Sequence, residues 1–215
     1  MMINILTFNR KTSVIFLFLC SFLLLSCGGG GGADEPITPP PPPPPPPSTQ
    51  LTEAESSAFL NRATFGATRE SIDALLNSSV ESWFLEQVNQ PPSLLLPYVG
   101  ALPDQEQIIP PDRVRGWWLN VVHGDDQLRQ RVAFALSEIF VASDKNSFLF
   151  ERQQAMADYY DLLVTNAFGN YRDLLEKVTL HPVMGIYLSM LGNRKPDGQL
   201  NIRPDENYAR EVMQL

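Results

Sequence analysis

The chain has 215 residues, with 24 Asp and Glu against 16 Lys and Arg, for a formal charge of −8. That balance argues against counterion-release binding to nucleic acid and against attraction to an anionic lipid surface. Both cysteines, Cys20 and Cys27, lie before residue 51, and only His123 and His181 follow it, so no thiol chemistry, disulfide or metal site is expected in the folded part and no cofactor is predicted.

The first fifty residues read as an address and a tether. Arg10 and Lys11 precede Val14 to Leu25, an apolar run broken only by Ser21, as in the charged and apolar regions of an export signal. The run is too short to span a bilayer as a mature helix. It ends Leu24-Leu25-Ser26-Cys27, which resembles a bacterial lipobox and predicts cleavage after residue 26 with lipidation of Cys27. An ordinary signal peptide or an uncleaved anchor is the alternative. Cleavage would leave 14 basic against 24 acidic residues, a formal −10. Gly28 to Gly32 is a flexible spacer, and Pro39 to Pro47 is a polyproline II rod about 28 Å long that would hold the domain off the membrane. By resemblance to enterobacterial lipoproteins, Gly28 after the anchor implies the outer membrane of a bacterial cell envelope. The domain plan is therefore a signal peptide at 1–26, a lipidated tether at 27–50 and a helical domain at 51–215.

Thr52-Glu53-Ala54-Glu55 is a capping box that starts a helix running to about Arg62, with Ala54, Ala58 and Phe59 inward. Gly66 can close it, and Thr68 can cap a second helix carrying Ile72, Leu75 and Leu76. A third is predicted from Val80 to Val88. Six prolines between 91 and 111 then predict an irregular connection of the kind that is often functional or mobile. A helix over Asp112–His123 carries Trp117 and Trp118. Asp125 should cap the most apolar helix, Asp126 to Val141, whose stripe of Leu128, Val132, Ala135, Leu136 and Ile139 makes it the expected centre of the fold. Helices at about 150–166, 171–180, 183–191 and 205–215 follow. With no alternating strand pattern and no repeat, the fold class is all-α. The periodicity of the last helix has no stop signal, which predicts a fragment of a longer domain with Tyr208, Val212 and Leu215 uncovered.

Five segments, Phe59–Thr68, Leu128–Phe140, Ala157–Leu163, Ala167–Glu176 and Arg203–Leu215, together resemble the large bacterial exported family catalogued as domain of unknown function 1800. The resemblance covers essentially all of Leu51 to Leu215 and implies a helical, exported protein whose relatives continue past the last motif. It also implies a possible partner, since members often occur beside exported proteins related to alkaline phosphatases and sulfatases. It carries over no catalytic residue.

No P-loop, Gly-x-Ser-x-Gly elbow, His-Glu-x-x-His or dinucleotide fingerprint occurs in residues 51–215. His181, before Pro182, could be a general base, although a neutral cap of the following helix is the better reading. Arg131 and Glu138 lie about 20° apart on their helix and are expected to form semi-buried ion pairs with neighbouring helices. Trp117 and Trp118 could line a sugar surface but are expected in the core. On the last helix Pro204 suits the first position, and Glu206 and Arg210 stand in the i to i+4 order for an ion pair. Together with Arg194 and Lys195, Arg210 could instead hold an anionic ligand, with Glu206 or Glu211 moving protons. Two functions remain open. One is a non-catalytic binding or assembly component of the envelope acting with another exported protein. The other is an enzyme, hydrolytic on an envelope or extracellular polymer, using carboxylates among Glu138, Asp205, Glu206 and Glu211.

Overall fold

The computed structural model describes residues 50–214, and the expected signal peptide, Cys27 and the expected tether lie outside the described residues. Among the described residues there are eleven helices and no strand, so the fold is all-α. Helix α1, Glu53–Ala63, begins at the expected capping box between Thr52 and Glu55. Thr68 caps α2, Arg69–Leu76, with Ser71 returning the second bond, and the Ser79 hydroxyl accepts from the Ser82 amide to start α3, Val80–Asn89. Phe59 meets Trp83 edge to face at 5.1 Å, which joins α1 to α3.

The proline-rich stretch is more ordered than its composition predicts. It contains α4, Leu96–Gly100, and Pro110 and Pro111 open α5, Pro110–His123, two residues earlier than expected. Proline lacks the N–H that a first helical turn leaves unpaired anyway, so here it starts helices instead of breaking them. Helices α4 and α5 come into close contact at Gly116, where a Cβ would lie 2.3 Å from Tyr98 Cδ1 and 2.7 Å from Leu95 Cδ1.

Helix α6 spans Gln127–Ile139, and Asp126, the residue before it, does not cap it. The Asp126 carboxylate turns instead to the 91–95 segment, where Oδ2 accepts from the Ser93 amide at 2.9 Å and from Gln130 Nε2 at 3.0 Å. The fully buried positions of this region are Asp126, Gln130, Ala133 and Phe140, while Ala135 and Ile139 of the expected core stripe are exposed. The inward stripe is polar and small because Gln130 must reach Ser93 and because Ala133 lets a neighbouring helix approach.

That neighbour is the true centre. The helix expected at 150–166 divides into α7, Ser147–Phe150, and α8, Gln153–Thr165. The Gln153 side chain, bonded to Phe150 O at 2.9 Å, occupies the break. Helix α8 buries Met156, Ala157, Leu163 and Val164 and packs against α4, α5, α6 and α7 as well as α9, Tyr171–Leu180, and α10, Pro182–Tyr187. A helix buried on so many sides has no single apolar stripe, so periodicity gives it no special weight. Helix α10 ends well short of 191, where Ser189 takes a positive φ of 62° and the Leu191 amide returns to Gly185 O at 2.8 Å. Helix α11, Asn207–Gln214, starts three residues after Pro204, which is therefore not its first residue.

Two backbone amides at the start of α4 are held by one buried side chain: Leu95 N, just before the helix, and Leu96 N donate to the Asp161 carboxylate of α8 at 2.7 and 2.8 Å. Burial raises the Asp161 carboxyl above its ordinary range, against the lowering effect of these bonds. Asp161→Ala leaves both amides without an acceptor in a buried place and is expected to cost about 2–4 kcal/mol, seen as a lower midpoint in urea unfolding.

Candidate functional site

Two cavities flank the C-terminal end of α6 and share Phe140 and Val141 as a common wall. The larger, about 480 Å³, lies between α5, α6 and α8 and is walled by Trp117, Phe134, Tyr160 and Glu138, among others, with Arg113 and Asp144 at one side. The smaller, about 260 Å³, lies under α11 and is lined by Met184, Tyr187, Tyr208, Glu211 and Val212.

Several polar side chains of the larger cavity are held by specific partners. Arg113 pairs with Asp144 at 2.8 Å, with side chains only 17% and 18% exposed, and its Nε donates to Gln153 Oε1 at 2.8 Å. This ties α5, the 141–146 loop and α8 together, and leaves the pair close to neutral. Trp117 Nε1 donates to the Tyr160 hydroxyl at 2.8 Å, while the Trp117 ring packs against Phe65 and Phe134. Trp117 is therefore a core residue as expected, whereas Trp118 is exposed, its helix having only one covered side there. The Tyr159 hydroxyl donates to Phe140 O at 2.8 Å and so fixes the wall between the cavities.

The residues singled out in the sequence are scattered over this arrangement. Glu138 is on the larger cavity and Glu211 on the smaller, and among the described residues neither forms an ion pair. Arg131 is not ion-paired either: its guanidinium lies over the rings of Phe65, at 5.3 Å, and Phe134. The expected ion pairs give way because aromatic faces, not carboxylates, surround it. Glu206 and Arg210 bond to each other on an exposed face, so the guanidinium offered for an anion is already engaged. The Asp205 carboxylate accepts from the Asn207 amide at 2.8 Å, and its backbone is bracketed by the Asn193 side chain. Tyr208 and Val212, expected to be uncovered, are half-buried over the smaller cavity, with the Tyr208 hydroxyl bonded to Thr179.

His181 is committed to structure. Its Nδ1 accepts from the Val183 amide at 3.2 Å and caps α10, so the ring proton is on Nε2, 3.2 Å from Asp158 Oδ2. Neither nitrogen is free to act as a base. The residues missed in the sequence are Arg113, Asp144, Gln153 and Tyr160. They are 31 to 43 positions from their partners, and nothing local marks any of them.

The chain matches the model of the family described as "Protein of unknown function (DUF1800)" over residues 58–215. It belongs to that family. The DUF1800 match takes in α2 to α11 and most of α1, and with them both cavities. No curated protein and no solved structure matches the chain.

Burial pushes the Tyr160 hydroxyl up to about 12, partly offset by the bond from Trp117, and raises Tyr159 further still. Both stay protonated at neutral pH and can donate but not accept a proton. A phenol whose pKa is raised by folding contributes stability that is intact below its unfolded value of 10.0 and is lost as pH climbs towards about 12. Absorbance at 295 nm should accordingly show two of the six tyrosines ionising only together with alkaline unfolding. Ionisation of Tyr159 and Tyr160 while the helical signal is still intact would contradict it.

Proposed function

We propose that this DUF1800 chain is a bacterial envelope lipoprotein, anchored through Cys27 and facing the outer membrane's aqueous side on its proline tether, and that it works as a binding component for another exported protein. The observation that carries the binding role is the face built around Phe140: two cavities with one wall between them, edged by Ile139 and Val141, which are 48% and 46% exposed. Apolar side chains exposed at the mouths of adjacent cavities are a docking feature. Around the same face several polar groups are already committed. Tyr159 and Tyr160 are held protonated, Arg113 is paired with Asp144, and each cavity has a single free carboxylate instead of the carboxyl pair that glycoside hydrolysis uses. The family resemblance supplies a candidate partner, an exported protein of the alkaline phosphatase or sulfatase-like class.

The anchor is supported by Ser26-Cys27 at the end of the apolar run and by the spacer that follows. Protein extracted from membranes should have an intact mass that begins at Cys27 and carries acyl groups. Cys27→Ala should release it or block processing, and a soluble native product starting elsewhere would overturn the anchor.

The docking face has its own test. Replacing Ile139 and Val141 together by Asp should abolish co-purification with the partner while shifting the melting temperature little, because both side chains are already half in water. Unchanged co-purification would remove this face from consideration.

A further inference from the structure

The chemistry of the occupant can be narrowed by the charges at the two cavities. The larger contributes Glu138, and its only other charged lining groups, Arg113 and Asp144, neutralise each other at 2.8 Å. The smaller has Glu211 as its one charged lining group. Arg210, next to Glu211 in sequence, is bound to Glu206, and Arg131 lies over aromatic rings and lines neither cavity. Between the carboxylates are Phe140, Val141 and the exposed Ile139, with Trp117, Phe134 and Tyr160 as aromatic walls on one side and Met184, Tyr187 and Tyr208 on the other. The whole chain carries −8, so the long-range field has the same sign as the local one.

Resting on the binding role above, we propose that this face takes an amphipathic basic segment of the partner protein. Two apolar side chains of one helical face, three or four residues apart, enter the cavities on either side of the Phe140–Val141 wall, and flanking Lys or Arg side chains meet Glu138 and Glu211. An acidic segment would bring like charges to both rims. A neutral apolar one would leave two carboxylates facing a dry interface without partners. The aromatic walls reinforce the preference, because a cation over a ring face is attracted by its quadrupole.

The test uses the mature chain in lipid-free buffer with three synthetic amphipathic helical peptides of one length and apolar face, whose polar positions are Lys, Gln or Glu. Binding is followed by titration calorimetry. The Lys peptide is expected to bind and the Glu peptide not. Replacing Glu138 and Glu211 together by Gln should weaken the Lys peptide about five- to tenfold at low salt, and this loss should shrink in concentrated salt as the rim pairs are screened. The control is Glu81→Gln with Glu106→Gln, which removes the same charge from exposed positions that line neither cavity. It should weaken binding less than twofold. Equal weakening by both double variants would reduce the effect to bulk charge and overturn the proposal. Binding of the Gln or Glu peptide that is lost with Asp at 139 and 141 but indifferent to Glu138 and Glu211 would keep the docking face and overturn the basic partner. No binding of any peptide, together with partner capture insensitive to 139 and 141, would overturn both.

Discussion

The carboxylate of Asp161 and the amides of Leu95 and Leu96 meet in a largely buried place, and the rest of the fold is arranged around the need to keep such meetings intact. Helix α8 is packed against six other helices, so each polar group it buries must find a partner inside the protein. Asp161 holds α4, Gln153 holds Arg113 and the end of α7, Tyr160 receives Trp117, and Tyr159 holds the carbonyl of Phe140. None of these bonds needs to contribute much by itself. Losing one partner strands the other in a medium where an unpaired polar atom is costly, and that asymmetry fixes the relative positions of α4, α5, α6 and α8.

The same pins shape the candidate site. Phe140 is the wall between the two cavities, and its carbonyl is held by Tyr159 from α8 while Asp144, four residues on, is held by Arg113 from α5. The loop after α6 is thus clamped at both ends, and Ile139 and Val141 project from a rigid edge. Rigid apolar edges lose little conformational freedom when a partner covers them, which makes them efficient contact residues. The two carboxylates beside this edge come from elements far apart in sequence, Glu138 from α6 and Glu211 from α11.

Local chemistry was legible in the sequence and long-range chemistry was not. Thr52 with Glu55, Thr68 before α2, His181 ahead of Pro182, and the Glu206–Arg210 pair each act within four residues, so their spacing announces them. The all-α class was equally plain. What misled was the assumption that the centre of a fold is its most regularly apolar helix. Helix α6 has the clearer stripe, but its inward side is Asp126, Gln130 and Ala133. Helix α8 is central because its polar residues are answered by partners 19 to 66 positions away, a condition no window of sequence displays. Arg113 and Asp144 escaped notice for the same reason. The prolines misled in another way, since composition marks them as breakers while position makes them helix starters.

The segment from Gln90 to Leu96, which its composition would class as a slack loop, behaves as a strap. The carbonyl of Gln90 accepts from Arg129, Ser93 gives its amide to Asp126 and its carbonyl to Gln130 and Asn120, and Leu95 and Leu96 are tied to Asp161. A protease needs an extended stretch of backbone free on both sides of the cut, and this stretch is tied at Gln90, Ser93, Leu95 and Leu96 to side chains of the elements around it. Cleavage there must wait for the strap to lift, which means parting α4 from α8. Where a protease is present, the lifetime of the intact chain at Pro91 and Pro92 is therefore governed by how often the core opens, not by how long the connection looks.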